Sequence, residues 1–291
     1  MTLEAFKSSH LYRHYIRHSL WAPIWAHRWI VNKKRDRHLR TVAVEDTKLL
    51  AEARAAFEHL YKPNTEPLVS ITIATYNRAK LLTEVVLPAA RAQTYSNIEI
   101  IIIGDHCTDE TADLMKKVND PRVTFYNLPE RQKYPKNKVK QWRISGLNAI
   151  NLARDMARGL WIAHCDDDDV FTADHVEKLL ARAQDDNCEF VSGRCRIELR
   201  TGQWVDRGSL LCKEGPTVKG EVSHSTVFRR TYTKFFKADR CLEVDMSGDI
   251  YVWRKMLNAG VRTGFVDDIV TLQPLRPGEK ERSLAFYLSQ C

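Results

Sequence analysis

The run Asp166-Asp167-Asp168-Asp169 directly follows the apolar stretch Leu160-Trp161-Ile162-Ala163. An apolar strand that ends in four like charges needs a compensating cation. Clustered carboxylate oxygens are hard ligands that suit Mg2+ or Mn2+, ions that keep positions open for water and for a substrate's phosphates. The plain alternative is a solvated acidic turn, with Asp169 capping the following helix. A second polar group, Thr75-Tyr76-Asn77-Arg78, closes the apolar run 69–74. Backbone amides, a hydroxyl and a guanidinium at that point can hold a nucleotide, and Tyr76 can lie against a base; Asn77 also reads as a simple turn residue. A third, Gly104-Asp105-His106-Cys107-Thr108-Asp109, closes the run 98–103, and its Thr108 or Asp109 is placed to cap a helix.

These groups must be carried by alternating elements. From Leu68 onward, apolar strand-like runs at 69–74, 98–103, 123–126, 160–164 and 189–191 interleave with helical ones at 80–93, 110–118, 147–158 and 174–184. Such alternation predicts βαβ units, a mostly parallel sheet, and a ligand site at the carboxyl ends of the strands. The 291 residues, 44% hydrophobic and 28% charged, exclude a disordered chain. Neither a spanning apolar segment of ~20 residues nor a secretory signal is visible, so the chain is expected in the cytoplasm. Its seven cysteines are scattered without a C-x-x-C pair and read as reduced thiols.

The net charge of +8 is concentrated at one end: residues 1–40 hold nine Lys/Arg against Glu4 and Asp36, a net +7. Trp21, Trp25 and Trp29 recur at helical spacing within that segment. Two readings are open. Tryptophans with Lys33, Lys34, Arg35, Arg37 and Arg40 suit attachment to an anionic membrane interface, peripherally on its inner face; alternatively the indoles pack on the main domain and the charges are solvated. Pro23 argues against one unbroken helix. No nucleic-acid module is recognisable, so nucleic acid is not an expected partner. A polar helix at 44–61 follows, then the linker 63–67. The expected organisation is an extension (1–62), the linker, a main domain (68–275, with halves meeting near residue 169) and a tail (276–291).

Read together, residues 69–78 (Val-Ser-Ile-Thr-Ile-Ala-Thr-Tyr-Asn-Arg), 103–111 (Ile-Gly-Asp-His-Cys-Thr-Asp-Glu-Thr), 148–153 (Asn-Ala-Ile-Asn-Leu-Ala) and 157–169 (Ala-Arg-Gly-Leu-Trp-Ile-Ala-His-Cys-Asp-Asp-Asp-Asp) resemble the GT-A glycosyltransferases of family 2. The resemblance implies an α/β GT-A fold, Rossmann-like with a mostly parallel sheet flanked by helices. It further implies a nucleoside-diphosphate sugar donor, with a UDP-sugar favoured, Mn2+ or Mg2+ on the D-x-D acids, and inversion at the anomeric carbon. The expected acceptor is a glycan hydroxyl, on a lipid-linked glycan if the N-terminal extension binds membrane. Thr75, Tyr76, Arg78, Asp105, Asn151, Asp166 and Asp167 match donor-binding positions, and Asp168 matches the direct metal ligand.

Ser247-Gly248-Asp249-Ile250-Tyr251-Val252-Trp253-Arg254 resembles the family's acceptor-side motif, with Asp249 the general base and Asp245 its rival. The requirement is physical, because a sugar hydroxyl is a poor nucleophile until a carboxylate takes its proton. Trp253 and Arg254 fall within that motif. His224 stands where such enzymes line the sugar, with a structural histidine as the alternative. Arg276, with Lys280 and Arg282, reads either as a loop closing over the diphosphate or as a solvated tail.

Two departures from the pattern stand out. Gly104 replaces the first of two adjacent acids. Ala149-Ile150-Asn151 replaces Ala-Arg-Asn, so a guanidinium is missing, and Lys136, Lys138, Lys140 or Arg143 are candidates to supply it. A sugar-nucleotide nucleotidyltransferase would need a glycine-rich basic loop after the first strand, which is absent. A non-catalytic scaffold would more readily have lost the acids.

Overall fold

The computed structural model describes the backbone of residues 10–209 and 222–275, and side chains from residue 31 onward within those ranges. Arg276, Lys280 and Arg282, and the side chains of Trp21, Trp25 and Trp29, lie outside the described residues.

A single helix, α1 (His10–Phe57), opens the described chain. The expected break at Pro23 does not occur, nor is 44–61 a separate helix; the one backbone hydrogen bond a proline forfeits is outweighed by the cooperative ladder on both sides. From Arg35 onward α1 packs on the main domain. Leu39 and Leu50 are buried, Arg54 grips Glu189 through both carboxylate oxygens at 2.8 and 2.6 Å, and Asp46 pairs with Lys255 at 3.5 Å. Residues 35–57 thus pack on the main domain, while the tryptophans on which the two readings turn lie outside the described side chains. No helix among the described residues is long and apolar enough to cross a membrane.

The main domain runs β1 (Val69–Thr75), α2 (residues 79–91, with a π-wound middle turn), β2 (Ile98–Gly104), α3 (Thr111–Met115), β3 (Val123–Asn127), α4 (Lys138–Arg143), α5 (Leu147–Met156) and β4 (Trp161–Asp166). It continues with β5 (Val170–Phe171), α6 (His175–Asp185), β6 (Phe190–Glu198), β7 (Trp204–Arg207), β8 (Val227–Arg230), α7 (Gly248–Ala259) and β9 (Thr263–Gln273). The sheet order is β3-β2-β1-β4-β8-β6-β9-β5, with β7 on β6. The first four strands are mutually parallel, whereas β8 enters antiparallel to both β4 and β6. Strands β1 and β2 are β-branched and buried on both faces, as parallel strands covered by helices must be.

The chain leaves β1 toward β2 and β3 and returns on its other side as β4, creating a switch point between β1 and β4. Their register pairs Ala74 with Asp166. That crevice brings the polar end of the first strand against the acid run, 90 residues away in sequence.

His175 lies beneath this sheet, fully buried, stacked on Phe171 at 3.5 Å, with Nδ1 2.8 Å from the Val270 carbonyl. Burial pushes its pKa down to about 4. An unfolded chain binds the proton near pH 6.5, so this residue's contribution is complete above 6.5 and is lost as pH falls toward 4. The loss approaches about 3 kcal/mol. His175→Phe, which keeps the stacking, is expected to remove that component. Urea unfolding at pH 7 and pH 4.5 tests this: the stability gap between wild type and variant should move in the variant's favour at the lower pH, and a constant gap would contradict it.

Candidate active site

A cleft of about 400 Å3 opens at the carboxyl ends of β1, β2 and β4 and is closed on its far side by α5 and the start of α7. Thr75, Tyr76, Arg78, Asp105, Asp166, Asp167, Asp168, His224 and Asp249 all border it. Asn151, Trp253 and Arg254 do not. Trp253 is 2% exposed and packs edge-on to Phe190, so it is a core residue beneath the site. On α7, Asp249 and Val252, three residues apart, present the cleft-facing stripe, and Arg254 is turned off it.

At the base end, Asp105 is buried and accepts a hydrogen bond from Tyr134 Oη at 2.6 Å, while its Oδ1 has no partner. Burial, and the loss of that bond to Asp105 on ionisation, raise the Tyr134 pKa to about 12, so it stays a donor. One face of the Tyr76 ring is covered. Arg131 lies over it with its guanidinium carbon 3.3 Å from the ring centroid, and 4.9 Å from that of Tyr134. The glycine that replaces an acid has a steric reason: a Cβ at Gly104 would collide with Asn127 Oδ1, which itself accepts from the Cys107 amide.

The acids divide into two groups. Arg78 donates to Asp167 at 2.6 Å and to Asp168. Asp167 remains undercompensated; burial, with the negative charge of Asp168 adding to it, drives its pKa up to about 6 despite the guanidinium. Asp166 faces the cleft with a side chain 39% exposed, flanked by His164 and His224, each 3.2 Å from its Oδ1. One oxygen or nitrogen from each of these three residues lies within 4.8 Å of the others.

The protons in this network can be assigned. Arg154 has only N–H groups, so His224 Nε2 accepts from it at 3.0 Å and Nδ1–H is left to donate to Asp166. Burial holds the His164 pKa down to about 3; its Nε2–H donates to Asp166 and its Nδ1 accepts from Thr72 Oγ at 3.1 Å. Both imidazoles donate to one carboxylate, and despite burial their interactions with it hold the Asp166 pKa well below the usual range.

Arg154 is the residue the sequence reading missed. It is buried, with Nε unpartnered, and its pKa is pushed down to about 10 by burial while Asp166, Asp155 and Asp249 work against that fall. It follows Ile150 by one helical turn, and both line the cleft. The guanidinium missing at position 150 is thus supplied from the next turn of the same face; spacing of four on a helix was the available signal. Of the cations considered for that role, Arg143 borders the cleft, while Lys136, Lys138 and Lys140 are exposed and do not. Asp245, the rival to Asp249, is not in the cleft lining; it is clamped by Arg35 and Arg143.

The acid cluster passes a chemical test for a divalent ion. Asp166, Asp167 and Asp168 gather hard oxygen donors at one cleft, and Asp166 presents its carboxylate to the opening with its side chain 39% exposed.

Comparison with known proteins agrees with this geometry. The profile of Glycosyl transferase family 2 matches residues 70–237. An uncharacterised glycosyltransferase of Acanthamoeba polyphaga mimivirus is 33% identical over 132 residues, 41% of this chain and 53% of that protein. An Escherichia coli UDP-Glc:alpha-D-GlcNAc-diphosphoundecaprenol beta-1,3-glucosyltransferase is 36% identical over 109 residues, 38% of each chain. The matched part thus spans about half or less of these relatives. Among solved structures, S. aureus TarS in complex with UDP-GlcNAc superposes with a TM-score of 0.51 at 18% identity, over 72% of this chain and 59% of that one. A Pyrobaculum calidifontis mannosyltransferase in complex with GDP-Man and Mn2+ gives 0.51 at 16%, over 82% and 70%. These two carry the fold.

Proposed function

The chain belongs to Glycosyl transferase family 2, with a GT-A fold, and from that premise we propose that its cleft moves a sugar from a nucleoside diphosphate to an acceptor hydroxyl with inversion. The observation that carries this reading is the convergence, in one cleft, of the buried carboxylate Asp105, the acids Asp166, Asp167 and Asp168, and a separate carboxylate, Asp249, on a helix start.

The unpartnered Asp105 Oδ1 is an acceptor suited to the N–H of a pyrimidine such as uracil, which favours a UDP-sugar. Arg131 and Tyr76 give the base a cationic and aromatic wall. Asp166 and Asp168 would hold Mn2+ or Mg2+, which would supply charge neutralisation for the departing diphosphate. Asp249 takes the proton of the acceptor hydroxyl as its oxygen bonds to the anomeric carbon and the carbon–phosphate oxygen bond breaks. Arg154, between Asp166 and Asp249, keeps His224 in the tautomer that donates to Asp166. The acceptor we favour is a lipid-linked glycan at the inner face of a membrane, with residues 1–40 as an attachment segment.

Slow hydrolysis of the donor needs no acceptor, so it tests the reading directly. UDP-, GDP- and dTDP-sugars incubated with Mn2+ should yield free nucleoside diphosphate from UDP-sugars in the first place, and chelator should abolish it. Absence of release from every donor would overturn the proposal.

A further inference from the structure

The segment from Arg131 to Arg143 carries six cations and no acid; Glu130 precedes it and the next acid is Asp155. Its second half is helix α4, and Arg131, Tyr134, Trp142 and Arg143 of the segment line the cleft. Lys133, Lys136, Lys138 and Lys140 are exposed, and among them stand two apolar side chains that a monomer in water gains nothing by showing: Trp142, 71% exposed, and Val139, 58% exposed. Trp142 also forms part of the cleft wall.

The tertiary structure joins this lip to the other basic, aromatic part of the chain. Arg35 on α1 donates to the Val244 carbonyl at 2.7 Å and to the Asp245 carbonyl at 2.5 Å, and Arg143 at the end of α4 donates to the carboxylate of that same Asp245. Asp245 holds a left-handed backbone, φ 57°, to serve both. The basic stretch Lys33–Arg40 and the segment 131–143, about a hundred residues apart, are thereby brought to one edge of the described molecule, with Lys34 and Arg37 exposed on α1 next to the clamp. The 25 residues of α1 before Arg35 would reach about 37 Å at 1.5 Å per residue.

We infer that α4, with the basic part of α1 beside it, is a docking face for an anionic phospholipid bilayer, and that it sets the mouth of the cleft against the membrane. The inference rests on the proposed lipid-linked acceptor, which must reach the cleft from a bilayer. Lysines attract the anionic headgroups, and Val139 and Trp142 enter at headgroup depth, where an aliphatic group and an indole are favoured. The occupant is fixed by charge and by this mixture: an acidic soluble partner would explain the lysines but not the exposed apolar pair among them.

The test uses the full chain and vesicles of phosphatidylcholine with or without phosphatidylglycerol, read by flotation. Wild type should bind only vesicles containing phosphatidylglycerol, and less as salt rises. A variant with Lys136→Gln, Lys138→Gln, Lys140→Gln and Val139→Ser should bind them about 100-fold more weakly or more, from about a factor of five per lysine. Its melting temperature and Mn2+-dependent donor hydrolysis should match wild type, since none of the four side chains borders the cleft. A loss below tenfold would overturn the inference, as would wild type that ignores anionic vesicles or that binds a soluble acidic polysaccharide in their place. Donor hydrolysis reports separately on the glycosyl-transfer reading: its absence alongside intact vesicle binding would remove that reading and leave the membrane face standing.

Discussion

Asp249→Asn is expected to leave nucleotide binding intact while lowering turnover by ~10²–10⁴-fold, the range a positioned general base contributes. The amide has the shape of the carboxylate but cannot accept the acceptor's proton, so the loss falls on kcat and not on donor affinity. The substitution is structurally mild: Asp249 is half-buried in the first turn of α7, where a negative charge gains a few tenths of a kcal/mol from the helix dipole. Paired measurements separate the roles, with calorimetry for donor affinity and product formation for turnover. Asp245→Asn supplies the contrast. Its side chain is 55% exposed and tied to Arg35 and Arg143, so this change should loosen the edge of the molecule with little effect on the chemical step. Near-normal turnover in Asp249→Asn together with its loss in Asp245→Asn would reverse the assignment.

Asp168→Ala is expected to abolish the effect of Mn2+ on nucleoside-diphosphate affinity, a fall of at least about 100-fold when the ion is present and little change in chelator. Arg78 makes the prediction sharper. In the structure it donates to both Asp167 and Asp168, so an ion arriving at Asp168 competes with a guanidinium that retains Asp167 as a partner. The variant should therefore still fold, with Arg78 held by Asp167 alone. Calorimetry with UDP in Mn2+ and in chelator decides the matter. Equal affinities for wild type under both conditions would remove the metal assignment altogether. If the Mn2+ effect survived Asp168→Ala but vanished in Asp166→Ala, the ion would belong to Asp166, the acid that faces the cleft with its side chain 39% exposed.

The sequence by itself determined the strand-helix alternation, the ends of β1, β2 and β4 to within two residues, and the acids and polar residues at those ends. These are local properties. A buried strand must read as a run of Val and Ile, and it must stop where charge begins, so a window of about ten residues carries the information. Packing over long separations decided the rest. Strands β8 and β9 escaped notice because their burial depends on neighbours far along the chain: β8 enters antiparallel between β4 and β6, and β9 runs parallel to β6; β7, a half-exposed hairpin partner of β6, has no apolar run to read.

The same reason separates site residues found from those missed. Asp105, Asp166 and Asp249 were legible because their motifs are contiguous. Arg131 over Tyr76, Arg154 on His224 and the clamp of Arg35 and Arg143 on Asp245 were not. A cation's partner is fixed by where two elements meet, here across 70 residues for Arg154 and 210 for Arg35, and no periodicity records that meeting. Trp253 shows the converse: the motif drew it toward the acceptor, but a phase difference of one position on α7 turned its indole into the core, where burying so large an apolar surface outweighs any use at the cleft.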